Sequence, residues 1–198
     1  MMSRKHRSSQ LGAAAVEFLL CLPLLILLAI PVTDLARVLQ ANIILTNSSR
    51  EGANLVARGG GTEQTIMESL AATAPPLDMH QHGAIHITKI LATNAGGYTR
   101  NVVIAQQRWI NGSYVPTNGK WICGAGGSHW NGAGECVGMP PVASAPEIDV
   151  MDGQLRVGDV VYLVEVFYQF PLLFNGLDLG GGLVLPSFNS NLYAFTIL

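Results

Sequence analysis

The longest uninterrupted pattern in the chain is apolar. Residues 13–32 form a run of twenty with one ionisable side chain, Glu17. As a helix, such a run spans about 30 Å, the thickness of a bilayer's hydrocarbon core. Beyond Val32 the pattern turns amphipathic. Val38, Ala41, Leu45, Ser48, Gly52 and Leu55 recur on one face at spacings of three and four, with a polar interruption at Thr46-Asn47-Ser48-Ser49-Arg50. Gly59-Gly60-Gly61 ends the pattern. Unbroken over residues 13–58, this helix is about 69 Å long. Pro23 and Pro31 should bend it, because each removes a backbone donor and crowds the preceding turn. Residues 62–74 read as a second, short helix with Ile66, Met67 and Leu70 on its apolar side, stopped by Pro75-Pro76.

The remainder reads mainly as strands. Residues 84–91 alternate in part. Residues 102–110 are followed by Asn111-Gly112 and then Ser113-Tyr114-Val115, which predicts a tight hairpin with Trp109 facing Tyr114. A second Asn118-Gly119 leads into Lys120-Trp121-Ile122. Residues 124–146, rich in Gly and Pro, predict no regular structure. In residues 160–170, Val160, Tyr162, Val164, Val166, Tyr168 and Phe170 line one face of the best strand, and Pro171 ends it. Residues 192–198 give a last strand. The fold class is α+β: a long N-terminal helix, then a mostly antiparallel β-sheet domain.

Arg4, Lys5, His6 and Arg7 precede the apolar run, with no acid among the first twelve residues. Basic flanks stay cytoplasmic, so the chain should cross a membrane once and place its bulk outside. A cleaved secretory signal would end in a small-residue site, but the run exits through Ile30-Pro31-Val32-Thr33-Asp34. A cut on the cytoplasmic side, after Gly12, gives Glu17 a reason. Ala13 then carries a cationic amine four residues away on the same helical face, and Glu17 lies in the first turn, where the macrodipole favours negative charge. An intramembrane acid without a partner is costly.

These residues carry a resemblance. Gly12-Ala13-Ala14-Ala15-Val16-Glu17-Phe18, followed by a Pro-interrupted apolar helix, resembles a prepilin-peptidase site in the form found in TadE-like minor pilins (pseudopilins) of tight-adherence pilus systems. Ser49-Arg50-Glu51-Gly52-Ala53-Asn54 resembles the family's Ala-Arg-x-Gly-Ala-Arg element, departing from it at Ser49 and Asn54. Val164-x-Val166-x-Tyr168-x-Phe170-Pro171 resembles its late strand. The likeness covers residues 8–58 and, loosely, 158–198. It implies a pilin-like fold with a cleaved cytoplasmic leader (1–12), a membrane helix (13–32) with its extension (33–58), and a periplasmic, mostly β domain (59–198). It further implies processing between Gly12 and Ala13, and helix docking through Glu17 and Phe18. The implied partners are other minor pilins, the inner-membrane assembly platform, a prepilin peptidase and membrane lipid, with no cofactor and no enzymatic activity.

Composition narrows the alternatives. Charged residues are only 12% of the 198, and removing the leader leaves eight basic against thirteen acidic side chains. That balance argues against nucleic acid, whose binders cluster Lys and Arg. Cys21 lies in the apolar run as a small hydrophobe. Cys123 and Cys136 flank a Gly-rich loop on the outer side, where a disulfide is the default and zinc with His129 is the rival.

Other chemistry is sparse. His80, His82 and His86 form H-x-H-x₃-H, which could gather a metal on one side of a strand or be ordinary histidines at its start. Glu147, Asp149, Asp152 and Asp159 surround Gly153 and Gly158, a calcium pattern or plain turn chemistry. Gly127-Ser128-His129 lacks a nucleophile elbow. Two other functions remain to be weighed. One is a signal-anchored periplasmic enzyme or carbohydrate-binding protein using Trp109, Trp121 and Trp130. The other is a type II secretion pseudopilin, whose usual Phe after the Gly is Ala13 here.

Overall fold

The computed structural model describes residues 7–95, 97–124, 127–172 and 190–198. The described chain forms two compact units, one of residues 7–39 with 171–172 and one of residues 40–170 with 190–198. In the first unit most of the described residues are the N-terminal part of a helix, α1 (Arg7–Ala57), which contains both Pro23 and Pro31. Arg4, Lys5 and His6 of the expected leader lie outside the described residues.

The second unit is built on a four-stranded antiparallel sheet of β1 (Gly83–Ala95), β2 (Tyr98–Arg108), β5 (Val160–Gln169) and β6 (Asn191–Ile197), in the order β2-β1-β5-β6. A β-bulge falls at Lys89/Ile90. The sheet is buried on both faces. The α1 residues Ala41, Leu45, Ser48, Ser49, Gly52, Ala53 and Val56 turn inward, three or four apart as their spacing requires. They cover the face carrying Val164 and Thr196: Ser49 Oγ and Thr196 Oγ1 share a hydrogen bond of 2.9 Å. A Cβ on Gly52 would lie 2.7 Å from Leu70 Cδ1 and 3.0 Å from Val164 Cγ1. Gly52, a poor helix former, thus sits where α1, β5 and α2 (Glu63–Ala72) meet.

The ends of these helices follow from local chemistry. Gly59 takes φ 67°, its N–H reaches Val56 O, and Gly60 N–H reaches Leu55 O, a Schellman closure of α1. Thr62 caps α2 by accepting from Thr65 N–H. A single turn, α3 (Met79–His82), capped by Asp78, leads into β1.

The second face of the sheet carries Ile90, Val103, Val161 and Leu163, which pack with Ile148 and Val150 from the segment between β2 and β5. Trp121, Met139, Leu155 and Ile197 close over this cluster. The same segment ties down the outer edge of β2: Arg108 N–H donates to Gly134 O and Val103 N–H to Pro146 O. It also holds the short ribbon of β3 (His129–Trp130) and β4 (Cys136–Val137), where the sequence predicted no regular structure.

The hairpin predicted at Asn111-Gly112 does not form. β2 ends at Arg108, and the tight connection is instead between β1 and β2, where Ala95 pairs with Tyr98 and Gly97 takes φ 94°. Asn111 gives its amide to Glu68. Gly112 serves close approach rather than a left-handed turn, since a Cβ there would stand 2.6 Å from Gly83 O. Trp109 consequently lies buried against α2, its Nε1–H donating to Glu68 Oε2 at 2.9 Å, and does not face Tyr114 across a ladder.

Candidate functional site

The first candidate region is the N-terminal part of α1. Glu17 and Phe18 are exposed on the helix, as are Leu19, Leu20, Leu24 and Leu25. Ala13 precedes Glu17 by one helical turn within the same element. Asp34 and Arg37 form an i,i+3 ion pair of 3.2 Å beyond the apolar run. This is the one described helix long and apolar enough to cross a membrane, and water alone would not tolerate such a row of exposed apolar side chains. Cys21 is exposed and unpaired on it. Further along, Arg50 and Glu51 point to solvent while Gly52 is buried.

The second region lies behind the sheet in the other unit. Cys123 and Cys136 form a disulfide with Cα atoms 5.8 Å apart. Next to it, the buried amide of Gln106 accepts from Cys123 N–H and donates to Thr88 Oγ1 and Trp121 O. Cross-strand pairing then sets a row of polar residues, Arg108 on β2, His86 on β1 and Glu165 on β5. Glu165 is wholly buried, and its Oε1 accepts from Tyr193 O–H at 2.6 Å and Lys120 N–H at 2.7 Å. Gly119 allows that approach, since a Cβ there would stand 3.2 Å from the carboxylate oxygen. Burial pushes the Glu165 carboxyl above the usual range, against these two donors, and burial first and then Glu165 push the Tyr193 hydroxyl up. His86 is also buried, between the rings of Trp130 and Phe167. Burial, with the Arg108 charge adding to it, holds its imidazole down to about 4.

The other candidates disperse. His80 and His82 sit on α3 and His86 on β1, so the expected strand alternation fails. His80 Nδ1 meets Asn111 O at 3.3 Å, His82 lies edge-on to Tyr168, and His86 faces the opposite side of the sheet from the Tyr168 side. Glu147 pairs with Arg100 at 3.0 Å. Asp152 is pushed up by desolvation and then by Asp149, and Asp159 accepts from Arg156 N–H as in an ordinary turn. Ser128 is buried and its hydroxyl accepts from Gly124 N–H, while His129 is exposed. Among the described residues, no three His, Cys, Asp or Glu side chains converge as metal ligands. Trp109 is buried, Trp121 packs on the core, and Trp130 is half-buried beneath Arg108, so the three tryptophans do not make one exposed stacking surface.

The buried row of Arg108, His86 and Glu165 was missed in the sequence. A readable signal exists: Val161, Leu163 and Phe167 make the second face of β5 apolar as well, so a carboxylate at Glu165 had to be covered.

No curated protein and no solved structure matches the chain. Residues 12–54, which hold Gly12, Glu17, Phe18 and the Arg50-Glu51-Gly52 element, match the family model described as TadE-like protein, the family that this stretch resembles in its motifs.

Proposed function

We propose that this chain is a membrane-anchored minor pilin or pseudopilin that takes part in assembling a tight-adherence pilus. The observation that carries the proposal is the match over residues 12–54, which begins at Gly12 and includes Glu17. In this reading residues 1–12 are a cytoplasmic leader, 13–32 cross the inner membrane, 33–58 extend the helix, and 59–198 form the periplasmic domain. The chain is a substrate of a prepilin peptidase and has no enzymatic activity of its own. Its partners are related minor pilins and the assembly platform, reached through the apolar helix in the lipid.

The physics of the cut follows from α1, which runs through the Gly12–Ala13 bond. A peptidase must open that turn. Glycine, about 1 kcal/mol poorer than alanine in a helix, makes that turn less costly to open than an alanine there would. After the cut, the Ala13 amine and the Glu17 carboxylate lie one turn apart. An unpaired charge within the bilayer costs about 3 kcal/mol on insertion scales, so the carboxylate of one helix fixes where an amine, its own or a neighbour's, comes to rest. Phe18 adds an aromatic contact beside it, and Gly52 keeps the helix close to the outer domain.

Two measurements test this. Intact mass of protein from its native host should place the mature N-terminus at Ala13; a start beyond Val32 would defeat both processing and anchoring. Glu17→Gln should still be cut after Gly12 but should lose co-purification with partner pilins and yield fewer pili. Assembly at the wild-type level would leave the carboxylate without a docking role.

A further inference from the structure

A cavity of about 110 Å³ opens beside the polar row on the second face of the sheet. Its wall includes His86, Arg108, Tyr114, Trp109, Trp130 and Ile122. Three polar groups line it without a protein partner among the described residues. His86 is 3% exposed and its Nδ1 has no hydrogen-bond partner. The half-buried Arg108 guanidinium is in neither of the ion pairs among the described residues, and it lies over the Trp130 ring, 5.3 Å from the ring centroid. The Tyr114 hydroxyl is half-buried and likewise makes no hydrogen bond. The backbone of Arg108 is fixed from both sides, its N–H by Gly134 O and its carbonyl by Gln64 Nε2. Among the described residues, no acidic side chain lines the space.

A half-buried arginine with no anion among the described residues, beside a buried imidazole whose Nδ1 has no partner, leaves strong hydrogen-bonding capacity unmet. We propose that this cavity binds a single carboxylate group, with Arg108 as the cationic fork and His86 and Tyr114 as neutral donors. One guanidinium balances one negative charge, and its planar fork matches a carboxylate. A doubly charged phosphate would stay undercompensated. The volume admits a carboxylate with one or two carbons behind it, set between the Trp109 and Trp130 rings, against a share of about 30 Å³ per water in the liquid. Such a group can come from a free small acid or from the end of a polypeptide chain. Burial first and then the Arg108 charge lower the titration of His86, and an anion held beside both would raise it.

The test uses the full chain in detergent micelles with isotope-labelled histidine, its ring signals assigned with His86→Gln. Sodium acetate should shift the His86 signals saturably and raise its titration midpoint from about 4, whereas chloride at equal ionic strength and the uncharged N-acetylglycylglycinamide should not. Arg108→Gln should weaken acetate binding about tenfold or more, Arg108→Lys should restore part of it, and Tyr114→Phe, which removes only a hydroxyl, should weaken it less. Tighter saturation by N-acetylglycylglycine than by acetate assigns the site to chain ends, and the reverse order assigns it to free acids. Absence of any saturable shift with acetate and with the peptide, equal saturation by inorganic phosphate, or unchanged binding in a folded Arg108→Gln would overturn the proposal.

Discussion

In the first part of α1, Leu19, Leu20, Leu24 and Leu25 are 58–73% exposed, whereas in its second part Ala41, Leu45 and Ala53 are fully buried. Both parts are the same regular helix. The first is apolar on every side, which suits lipid or other helices as its surroundings. The second is apolar on one stripe and polar elsewhere, which suits a sheet on one side and water on the other. What differs is the solvent each sequence is written for. The second part can therefore be tested by unfolding, and the first by partition and association.

Leu45→Ala should produce the largest change. The side chain is fully buried against the sheet-bearing unit, and its loss should cost about 2–5 kcal/mol in denaturant unfolding. Leu24→Ala, on the exposed part, should leave the same transition unchanged. Equal effects of the two would erase the distinction between the parts.

Acid should act on the sheet-bearing unit and spare the exposed part of α1. His86 is held at about 4 when folded against 6.5 when free. The unfolded chain therefore takes up a proton that the folded chain refuses. Stability from the neutral ring is whole above pH 6.5 and is lost as pH falls toward 4, by about 3 kcal/mol at most. Glu165, whose carboxyl is raised, works in the opposite sense, so the measurement is the difference between wild type and His86→Gln at each pH. Far-UV circular dichroism in detergent should retain the anchor helix after the near-UV signal of the domain is gone.

Leu25→Arg should cost about 3 kcal/mol of membrane insertion, read as release of the full chain from membranes by carbonate, with no change in the unfolding of the outer domain. Gly52→Val is the finest probe. The added side chain meets Leu70 and Val164 and should destabilise the domain by about 1–3 kcal/mol; Ala29→Val, in the apolar run, should leave that domain as it was.

The helix was legible because its signals are local. Periodicity and the stop at Gly59-Gly60-Gly61 need no distant partner. β5 was legible from alternation, and the disulfide from two cysteines flanking a Gly-rich loop in the compartment expected for them. What failed depended on residues far along the chain. Asn111-Gly112 has the composition of a hairpin, but Glu68 on α2 captures both Asn111 and Trp109, and the chain bends to meet it. The three histidines share a spacing that a strand would bring to one side, yet a single turn capped by Asp78 places two of them before the strand begins. Arg108, His86 and Glu165 come from three strands, and only the pairing register makes them neighbours.

The strand order β2-β1-β5-β6 also sets a timetable. The stripe of α1 that rests on β5 and β6 leaves the ribosome before the strands that cover it. β1 and β2 can pair at once across their short turn, but β1 must wait for β5 while the whole covering segment is made. Sheets closed by such long-range pairing fold slowly and expose apolar surface meanwhile. In the proposed anchored state the first helix would hold the chain apart from other unfinished chains through that interval, and the Cys123–Cys136 link, joining residues near in sequence, can form within the covering segment before the sheet is complete.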